Sequence, residues 1–303
     1  MKSTRKAYGE FLCEIGKKDE NVIVFDSDLA AATNTNMFKN MFPNRHFDIG
    51  IAEQDMVGTA CGVAISGKTV FASSFAMFIA ARAYEQVRNT AGYSHVNINL
   101  VATHSGLAVG EDGPTHQCIE DISLMKVIPG MTVFSPSDEY STKNILKECL
   151  NIDGPKYIRL GRSEVENIYN ETDAFKVGKS NTFGDGTCGT IFATGNTLQV
   201  ALDAKEELSK KNINVRVVDI YSIKPIDKDN IIKCSKETDK LISIEDHSII
   251  GGIGSSIADI LCEFYPKKLI KIGVNDTFGK SGNAKQIYEL FGLTKENIIS
   301  KFI

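Results

Sequence analysis

The stretch "VNINLVATHSGLAVGEDGPTHQ", residues 96–117, predicts both how the chain folds and where its chemistry lies. Its first part is rich in valine, isoleucine and leucine, which is typical of a buried strand. The remainder is a glycine-rich segment that carries two histidines, two acids and a glutamine. Because a strand leads directly into these polar groups, we expect them at the carboxyl edge of a sheet, where open parallel sheets bind ligands.

Strand and helix patterns alternate along the whole chain. In the first part, strands are predicted at 21–25, 46–50, 69–73, 96–102, 131–134 and 155–159, and helices at 4–17, 55–65, 75–92 and from near Cys118. The alternation resumes with strands at 189–194, 215–220, 241–244 and 269–274, and helices at 197–211 and 254–264. This pattern predicts an α/β fold with two doubly wound, mostly parallel-sheet domains. We place them at 1–165 and 181–303, joined by a polar linker at 166–180.

Composition and charge argue against several classes of protein. The formal net charge is −4 and no basic stripe is present, so nucleic acid is not an expected partner. The seven cysteines are scattered without a C-x-x-C pair, which predicts a reducing cytoplasmic environment rather than a zinc knuckle or a disulfide framework. No apolar run approaches the length that crosses a membrane, and the polar N-terminus lacks the pattern of a signal peptide.

Glu53 is a candidate functional acid. It follows the apolar and glycine residues 49–52 and precedes a helix pattern of small residues, so we expect it to be at least partly buried. Burial favours the protonated carboxyl group, which can then hold or donate a proton near neutral pH. The alternative is an acid that the helix dipole stabilises at a helix N-terminus. The residues alone leave both interpretations open.

Phe71, Phe75 and Phe78 recur at spacings of four and three beside small residues. Taken alone, this pattern is best explained by ordinary core packing. The alternative is an aromatic box for a flat heterocycle, for which the small neighbouring side chains leave room.

The polar loop has the chemistry of a catalytic site. His104, Asp112 and His116 suit general acid–base work on hydroxyl and carbonyl groups. A metal site is the alternative, but their spacing matches no standard ligand motif. Arg159 and Arg162 follow the last strand pattern of the first domain and are either surface charges or bidentate phosphate ligands. The density of functional groups favours a site over a solvated loop.

Several motifs occur in a fixed order along the chain. They are "IAEQDM", "FASSFAMFIAARAYEQVRN", "THSGLAVGEDGPTHQ", "YIRLGR", "IYSIKPID", "EDHSIIGGIG" and "FGKSGN". Together they resemble the C-terminal half of transketolase over essentially the whole chain, and "GEDGPTHQ" is the most specific of them. A full-length transketolase is roughly twice as long, with a further N-terminal diphosphate-binding domain. The resemblance therefore implies one subunit of a split transketolase, with a pyrimidine-binding domain and a C-terminal domain.

The resemblance also implies roles for residues around the cofactor, thiamine diphosphate. Glu53 would bond the aminopyrimidine ring nitrogen and promote the imino tautomer of the ring. Phe75 and Phe78, with Phe71 near them, would box the pyrimidine. Asp28 would line the cofactor site near a subunit interface.

A second set of residues would handle the sugar substrates. The resemblance implies that His104 and His116 contact sugar oxygens and assist proton transfers, and that Asp112 binds the α-hydroxyl group. Arg162 and Arg5 would hold the substrate phosphate. The phosphate-binding serine of the family has no counterpart here, and Thr33 is the candidate to replace it.

The implied reaction is the reversible, thiamine-diphosphate-dependent transfer of a two-carbon ketol group from a ketose phosphate to an aldose phosphate. The chain is expected to act only in an α2β2 assembly with a partner, which supplies the diphosphate site and the ligands of Mg²⁺ or Ca²⁺. The chain itself is expected to hold no metal. Three alternatives stay open: a 1-deoxyxylulose-5-phosphate synthase-like enzyme, more distantly the β subunit of a 2-oxo acid dehydrogenase, and a non-catalytic regulatory homologue. Pentose-phosphate metabolism is the default setting, with specialised sugars as the other option.

Overall fold

The structure of the chain, a computed structural model, describes residues 1–303. Its strands are β1 (Lys2–Ser3), β2 (Val22–Asp26), β3 (His46–Asp48), β4 (Thr69–Phe75), β5 (Ile98–Thr103), β6 (Thr132–Phe134), β7 (Lys156–Arg159), β8 (Glu164–Val165), β9 (Asn181–Phe183), β10 (Gly189–Ala193), β11 (Val215–Asp219), β12 (Ser222–Lys224), β13 (Lys240–Ser248) and β14 (Leu269–Val274). Its helices are α1 (Thr4–Gly16), α2 (Ala30–Thr33), α3 (Asn36–Met41), α4 (Glu53–Ile65), α5 (Tyr84–Gln86), α6 (Asp121–Lys126), α7 (Glu139–Cys149), α8 (Thr197–Ser209), α9 (Lys228–Glu237), α10 (Ile253–Phe264), α11 (Ala284–Leu290) and α12 (Lys295–Ile299). The predicted α/β class with mostly parallel sheets is confirmed.

The larger sheet has seven strands in the order β12–β6–β7–β5–β4–β2–β3, and only β12 runs antiparallel to its neighbour. Its central strand β5 is buried along its whole length, as expected for a parallel strand that helices cover on both faces. The chain places β3 on one side of β2 and β4 on the other, so the strand order reverses between β2 and β4. Ligands bind at the carboxyl ends of the strands beside such a switch point.

The second sheet has five strands in the order β14–β13–β10–β11–β9, and β9 is its only antiparallel member. Strand β1 pairs with β8 in a separate two-stranded ribbon. Strand β12 lies in the range predicted for the second domain, yet it pairs with β6 of the larger sheet. Two apolar clusters fill the molecule, and each contains residues of both large sheets. The two halves of the chain therefore share continuous apolar packing.

The helices confirm several predictions and correct one. Helices α1, α4, α8 and α10 match the predicted ranges closely. The helix predicted at 75–92 is confirmed in part: residues 76–93 are helical apart from Ala83, but Phe75 ends β4, and π-helical turns at Phe78–Arg82 and Val87–Tyr93 flank the short α5. Turns of this kind shift the register of side chains and are frequent at functional sites. None of the helices is both long enough and apolar enough to span a bilayer.

Candidate active site

Glu53 is the first residue of α4 and is 1% exposed. Arg82, which ends the first π-helical turn, donates a hydrogen bond from Nη1 to Oε2 of Glu53 at 2.8 Å. The Arg82 side chain is 47% exposed, so the ion pair reaches from the buried acid to the surface. Its positive charge and the N-terminal amides of α4 offset the cost of burying a carboxylate. The predicted burial of Glu53 is confirmed, whereas its arginine partner was not predicted.

Four rings lie together near Glu53, and we call them the ring cluster: Phe75, Phe78, His104 and His116. The rings of Phe75 and Phe78 are stacked, with centroids 5.6 Å apart and planes 12° from parallel. His104 stacks on Phe75 at 3.8 Å, and His116 meets Phe78 edge-on at 5.6 Å. Arg82 connects the cluster to Glu53, since its guanidinium carbon lies 4.6 Å from the centroid of Phe78. The ends of β4 and β5 and the polar loop thus converge on one place.

Phe71 does not belong to the ring cluster, and its predicted place beside the cofactor is corrected. It is fully buried against Tyr8 and Phe11 of α1, with ring centroids 6.3 and 6.1 Å away. The reason is distance along the strand, because Phe71 precedes the end of β4 by four residues, or about 13 Å. Phe71 lies in the predicted strand, but this strand continues two residues beyond its predicted end, to Phe75.

His104 is a buried, neutral imidazole. Its Nδ1 lies 2.9 Å from the hydroxyl oxygen of Thr103, the last residue of β5. Burial lowers the pKa of His104 to about 3, and the nearby charges of Arg5, Arg162 and His116 act in the same direction. Its backbone has a φ of 55°, a left-handed conformation that non-glycine residues adopt mainly where the surroundings require it. A neutral imidazole held in this way can accept a hydrogen bond from a substrate hydroxyl group.

Two arginines from distant parts of the chain meet beside the loop. Arg5 donates from Nε to the main-chain oxygen of Arg162 at 3.3 Å and from Nη1 to the main-chain oxygen of Ala32 at 2.6 Å. Arg162 bonds the main-chain oxygen of Val109, and its Nη1 lies 3.9 Å from Oδ2 of Asp112. Burial lowers the pKa of Arg5, as does the charge of Arg162. Two neighbouring cations, with a single exposed carboxylate beside Arg162, favour a bound anion.

Thr33 does not face this site, and its predicted contact with a substrate phosphate is corrected. Its hydroxyl group donates to Oδ2 of Asp26 at 2.7 Å, and Thr35 donates to the same oxygen at 2.8 Å. All three side chains are buried. Burial raises the pKa of Asp26 to about 6, although these hydroxyl groups and the amide of Leu29 lower it. The Thr33 hydroxyl is therefore engaged in satisfying a buried carboxyl group.

Asp28 lies in the turn after β2, at the carboxyl edge of the larger sheet. It is exposed, and its φ of 57° places it in the left-handed region that aspartate tolerates in turns. Its amide donates to Oδ1 of Asp48, the last residue of β3, at 2.8 Å. The turn thus connects the ends of two strands and presents the Asp28 side chain to the outside.

Two family models match the chain: the transketolase pyrimidine-binding domain over residues 1–167 and the transketolase C-terminal domain over residues 178–298. The chain belongs to the transketolase family. Both halves of this transketolase chain therefore have a family counterpart, and the site described above lies in the first of them, with its loop packed on the second.

Individual relatives agree with the family. A Methanocaldococcus jannaschii chain named for the C-terminal section of transketolase is 47% identical, over 100% of this chain and 96% of the relative. A chain of Clostridium sp. (strain MSTE9), named as a 6-deoxy-6-sulfo-D-fructose transketolase subunit, is 37% identical over 97% of this chain and 92% of the relative. A solved structure described as the inactive β4 tetramer of a split-gene transketolase matches with a TM-score of 0.93 and 41% identity, over 100% of this chain and 97% of that one.

The residues of this transketolase chain fit part of thiamine diphosphate, the cofactor that the family generally uses. A buried carboxylate, Glu53, stands near the parallel rings of Phe75 and Phe78. One acid beside aromatic faces suits a flat heterocycle that offers a ring nitrogen for hydrogen bonding. The structure contains no group of three or more His, Cys, Asp or Glu residues that could hold a metal ion.

Sequence reasoning missed several residues that shape this transketolase site. Arg82 was missed because its contact with Glu53 depends on a π-helical turn that no periodicity shows. Asp246 was missed because it lies in β13 and bonds the loop 139 positions away. The signal that could have identified Asp246 is its place in "SIEDHS", where two adjacent acids end an apolar run.

Proposed function

We propose that this chain is the pyrimidine-side subunit of a two-chain transketolase. With its partner it transfers a two-carbon ketol group reversibly from a ketose phosphate to an aldose phosphate. The observation that carries the proposal is the buried Glu53 beside the ring cluster, whose two histidines lie where the polar loop meets the strand ends. One site then contains both an acid that can bond a ring nitrogen of the cofactor and two histidines that can bond sugar oxygens.

On the cofactor side, this chain would supply two aromatic rings and a carboxyl group that forms a hydrogen bond with a ring nitrogen. Thiamine diphosphate, when bound, supplies the electron sink that cleavage of a carbon–carbon bond beside a carbonyl group requires. Glu53, whose buried position excludes water, would form the hydrogen bond with the ring nitrogen of the pyrimidine. Phe75 and Phe78 orient the ring through their faces.

On the substrate side, the loop and the two arginines would recognise the sugar phosphate. His104 is neutral at physiological pH because its pKa is low, so its unprotonated ring nitrogen accepts hydrogen bonds from sugar hydroxyl groups. His116 is less buried and shares this work from the other side of the Phe75–Phe78 pair. Asp112 binds a hydroxyl group, while Arg5 and Arg162 hold the phosphate.

The rest of the proposal concerns organisation. We assign residues 1–165 to the pyrimidine-binding domain, 166–180 to a linker and 181–303 to the C-terminal domain, in line with the ranges that the two family models match. The partner chain would hold the diphosphate and the Mg²⁺ or Ca²⁺ ion in an α2β2 assembly. Asp28, on the exposed edge beside β2, would then lie near the interface.

Reconstitution with a candidate partner tests this proposal. The two chains are co-purified and assayed with thiamine diphosphate and Mg²⁺ against a panel of donor and acceptor sugars. The panel contains pentose phosphates and a sulfonated ketose, because one relative is named for a sulfofructose. Ketol transfer is expected from the mixture with at least one pair and from neither chain alone. A stable complex that transfers no ketol group between any pair would contradict the proposal.

A further inference from the structure

The polar loop, residues 104–117, is held by a side chain of the second sheet. The amide of Leu107 donates to Oδ1 of Asp246 at 2.8 Å. Asp246 belongs to β13 and is 1% exposed, so water does not compete for this hydrogen bond. A hydrogen bond from an amide to a buried carboxylate is among the stronger ones in proteins.

Asp246 is itself held by two further hydrogen bonds. The hydroxyl group of Tyr288, in α11, donates to its Oδ2 at 2.7 Å. Arg159 donates from Nη2 to the main-chain oxygen of Asp246 at 2.7 Å. Arg159 is in turn held by the buried Asp121, with Nε and Oδ2 2.8 Å apart. The carboxylate is therefore a rigid reference point on which the loop can rest.

The loop backbone is shaped to this carboxylate. Gly106 has a φ of 72°, and a Cβ atom built there would lie 2.2 Å from Oδ2 of Asp246. A side chain at this position would both strain the backbone and displace the acid. At the far end of the loop, Nε2 of Gln117 donates to the main-chain oxygen of Lys280 at 2.9 Å. Both ends of the loop are thus attached to the second half of the chain.

We propose that Asp246 is a positioning residue for the active site: through the amide of Leu107 it fixes the loop that carries Asp112 and His116. The effect of Asp246 on sugar binding rests on the proposed function, whereas its effect on the loop does not. This role gives the C-terminal half of the chain a defined task, which is to hold the substrate loop in register with the ring cluster.

Hydrogen–deuterium exchange of the loop amides tests the first step without any activity measurement. In Asp246→Ala the Leu107 amide loses its acceptor, so its exchange is expected to be at least about tenfold faster. In Asp246→Asn the side-chain oxygen can still accept from Leu107, and the amide group can donate to the Tyr288 oxygen, so exchange stays near that of the wild type. Arg159 keeps its main-chain acceptor in both variants. Unchanged exchange in Asp246→Ala would overturn the inference.

Glu245→Gln is the matched control. Glu245 is the adjacent buried acid of β13, but it accepts the amides of Ile253 and Gly254 at the start of α10 instead of a loop amide. This variant is expected to leave exchange in the loop unchanged. Equal acceleration in the Glu245 and Asp246 variants would show a general loosening of β13 and contradict a specific role.

Gly106→Ala approaches the same contact from the loop side and covers the case in which Asp246→Ala does not fold. Its Cβ would push the Asp246 carboxylate away, so the same loop amides are expected to exchange faster.

In the reconstituted enzyme, Asp246→Ala and Gly106→Ala should each raise KM for the donor sugar by about tenfold or more, while thiamine diphosphate affinity stays unchanged. Faster exchange without a change in KM would overturn the link to substrate binding. If the reconstituted wild-type enzyme transferred no ketol group, this result would instead count against the proposed function.

Discussion

At the scale of single residues, the burial of His104 has a consequence for stability. Its pKa falls from 6.5 to about 3 because burial and neighbouring positive charges disfavour the protonated ring. Between these values the unfolded chain binds a proton that the folded chain does not. Protonation therefore favours unfolding, and this part of the stability is lost as the pH falls below 6.5.

We expect His104→Asn to remove this pH dependence. Between about pH 7 and about pH 5, the free energy of unfolding should fall by about 2 kcal/mol more in the wild type than in the variant. Urea denaturation at the two pH values measures both quantities, and the comparison cancels groups that titrate in both proteins. An equal fall in the free energy of unfolding in the two proteins would contradict the buried, neutral state of His104.

The sequence identifies a side chain well when its signal is local. Glu53 precedes a helix pattern and His104 follows a strand pattern, so their placement at the sheet edge follows from the fold class. Thr33 was misplaced because the direction of its side chain depends on the local backbone, and Phe71 was misplaced because β4 extends two residues beyond its predicted end. Arg82 required the register of a π-helical turn, which has no sequence period.

At the scale of elements, Asp138 joins helix α7 to the linker. Its Oδ1 accepts a hydrogen bond from the amide of Ser141, so Asp138 caps α7. Its Oδ2 accepts hydrogen bonds from the amides of Ile168 and Tyr169, and all three distances are 2.8 Å. Asp138 is completely buried. We expect Asp138→Ala to lower the free energy of unfolding by about 3 kcal/mol, since it removes a cap and leaves two further amides unsatisfied.

Thr294→Ala is the comparison for this prediction. Thr294 caps α12 through the amide of Asn297 alone, so its loss is expected to cost about 1 kcal/mol. Denaturant titration of both variants gives the two values. A cost for Asp138→Ala no greater than that for Thr294→Ala would show that the contact with the linker contributes nothing.

Elements differ in how well the sequence predicts them. The central strands were predicted because they are continuous apolar runs, as parallel strands covered on both faces require. Helices α7 and α9 were missed because each buries only a narrow set of apolar residues, such as Ile145 and Leu146 in α7 and Ile231 in α9.

At the scale of the whole molecule, the alternation of strands and helices predicted two sheets but not how they meet. Strand β12 crosses to the larger sheet, and the contact between Asp246 and Leu107 joins the second half to the loop. Both are long-range pairings, for which a single sequence holds no periodic signal. The presence of two large sheets was therefore predictable, whereas the contacts between them were not.

The central claim is that Glu53 serves the cofactor of a transketolase whose other half lies on a partner chain. Ketol transfer by the reconstituted enzyme, compared between wild type, Glu53→Gln and Glu85→Gln, tests it most directly. Glu85 is an exposed acid that bonds only Gln86 and Asn89, so its variant should match the wild type. The Glu53 variant should assemble normally and lose activity by about 100-fold or more. Full activity in an intact Glu53→Gln complex would contradict the claim.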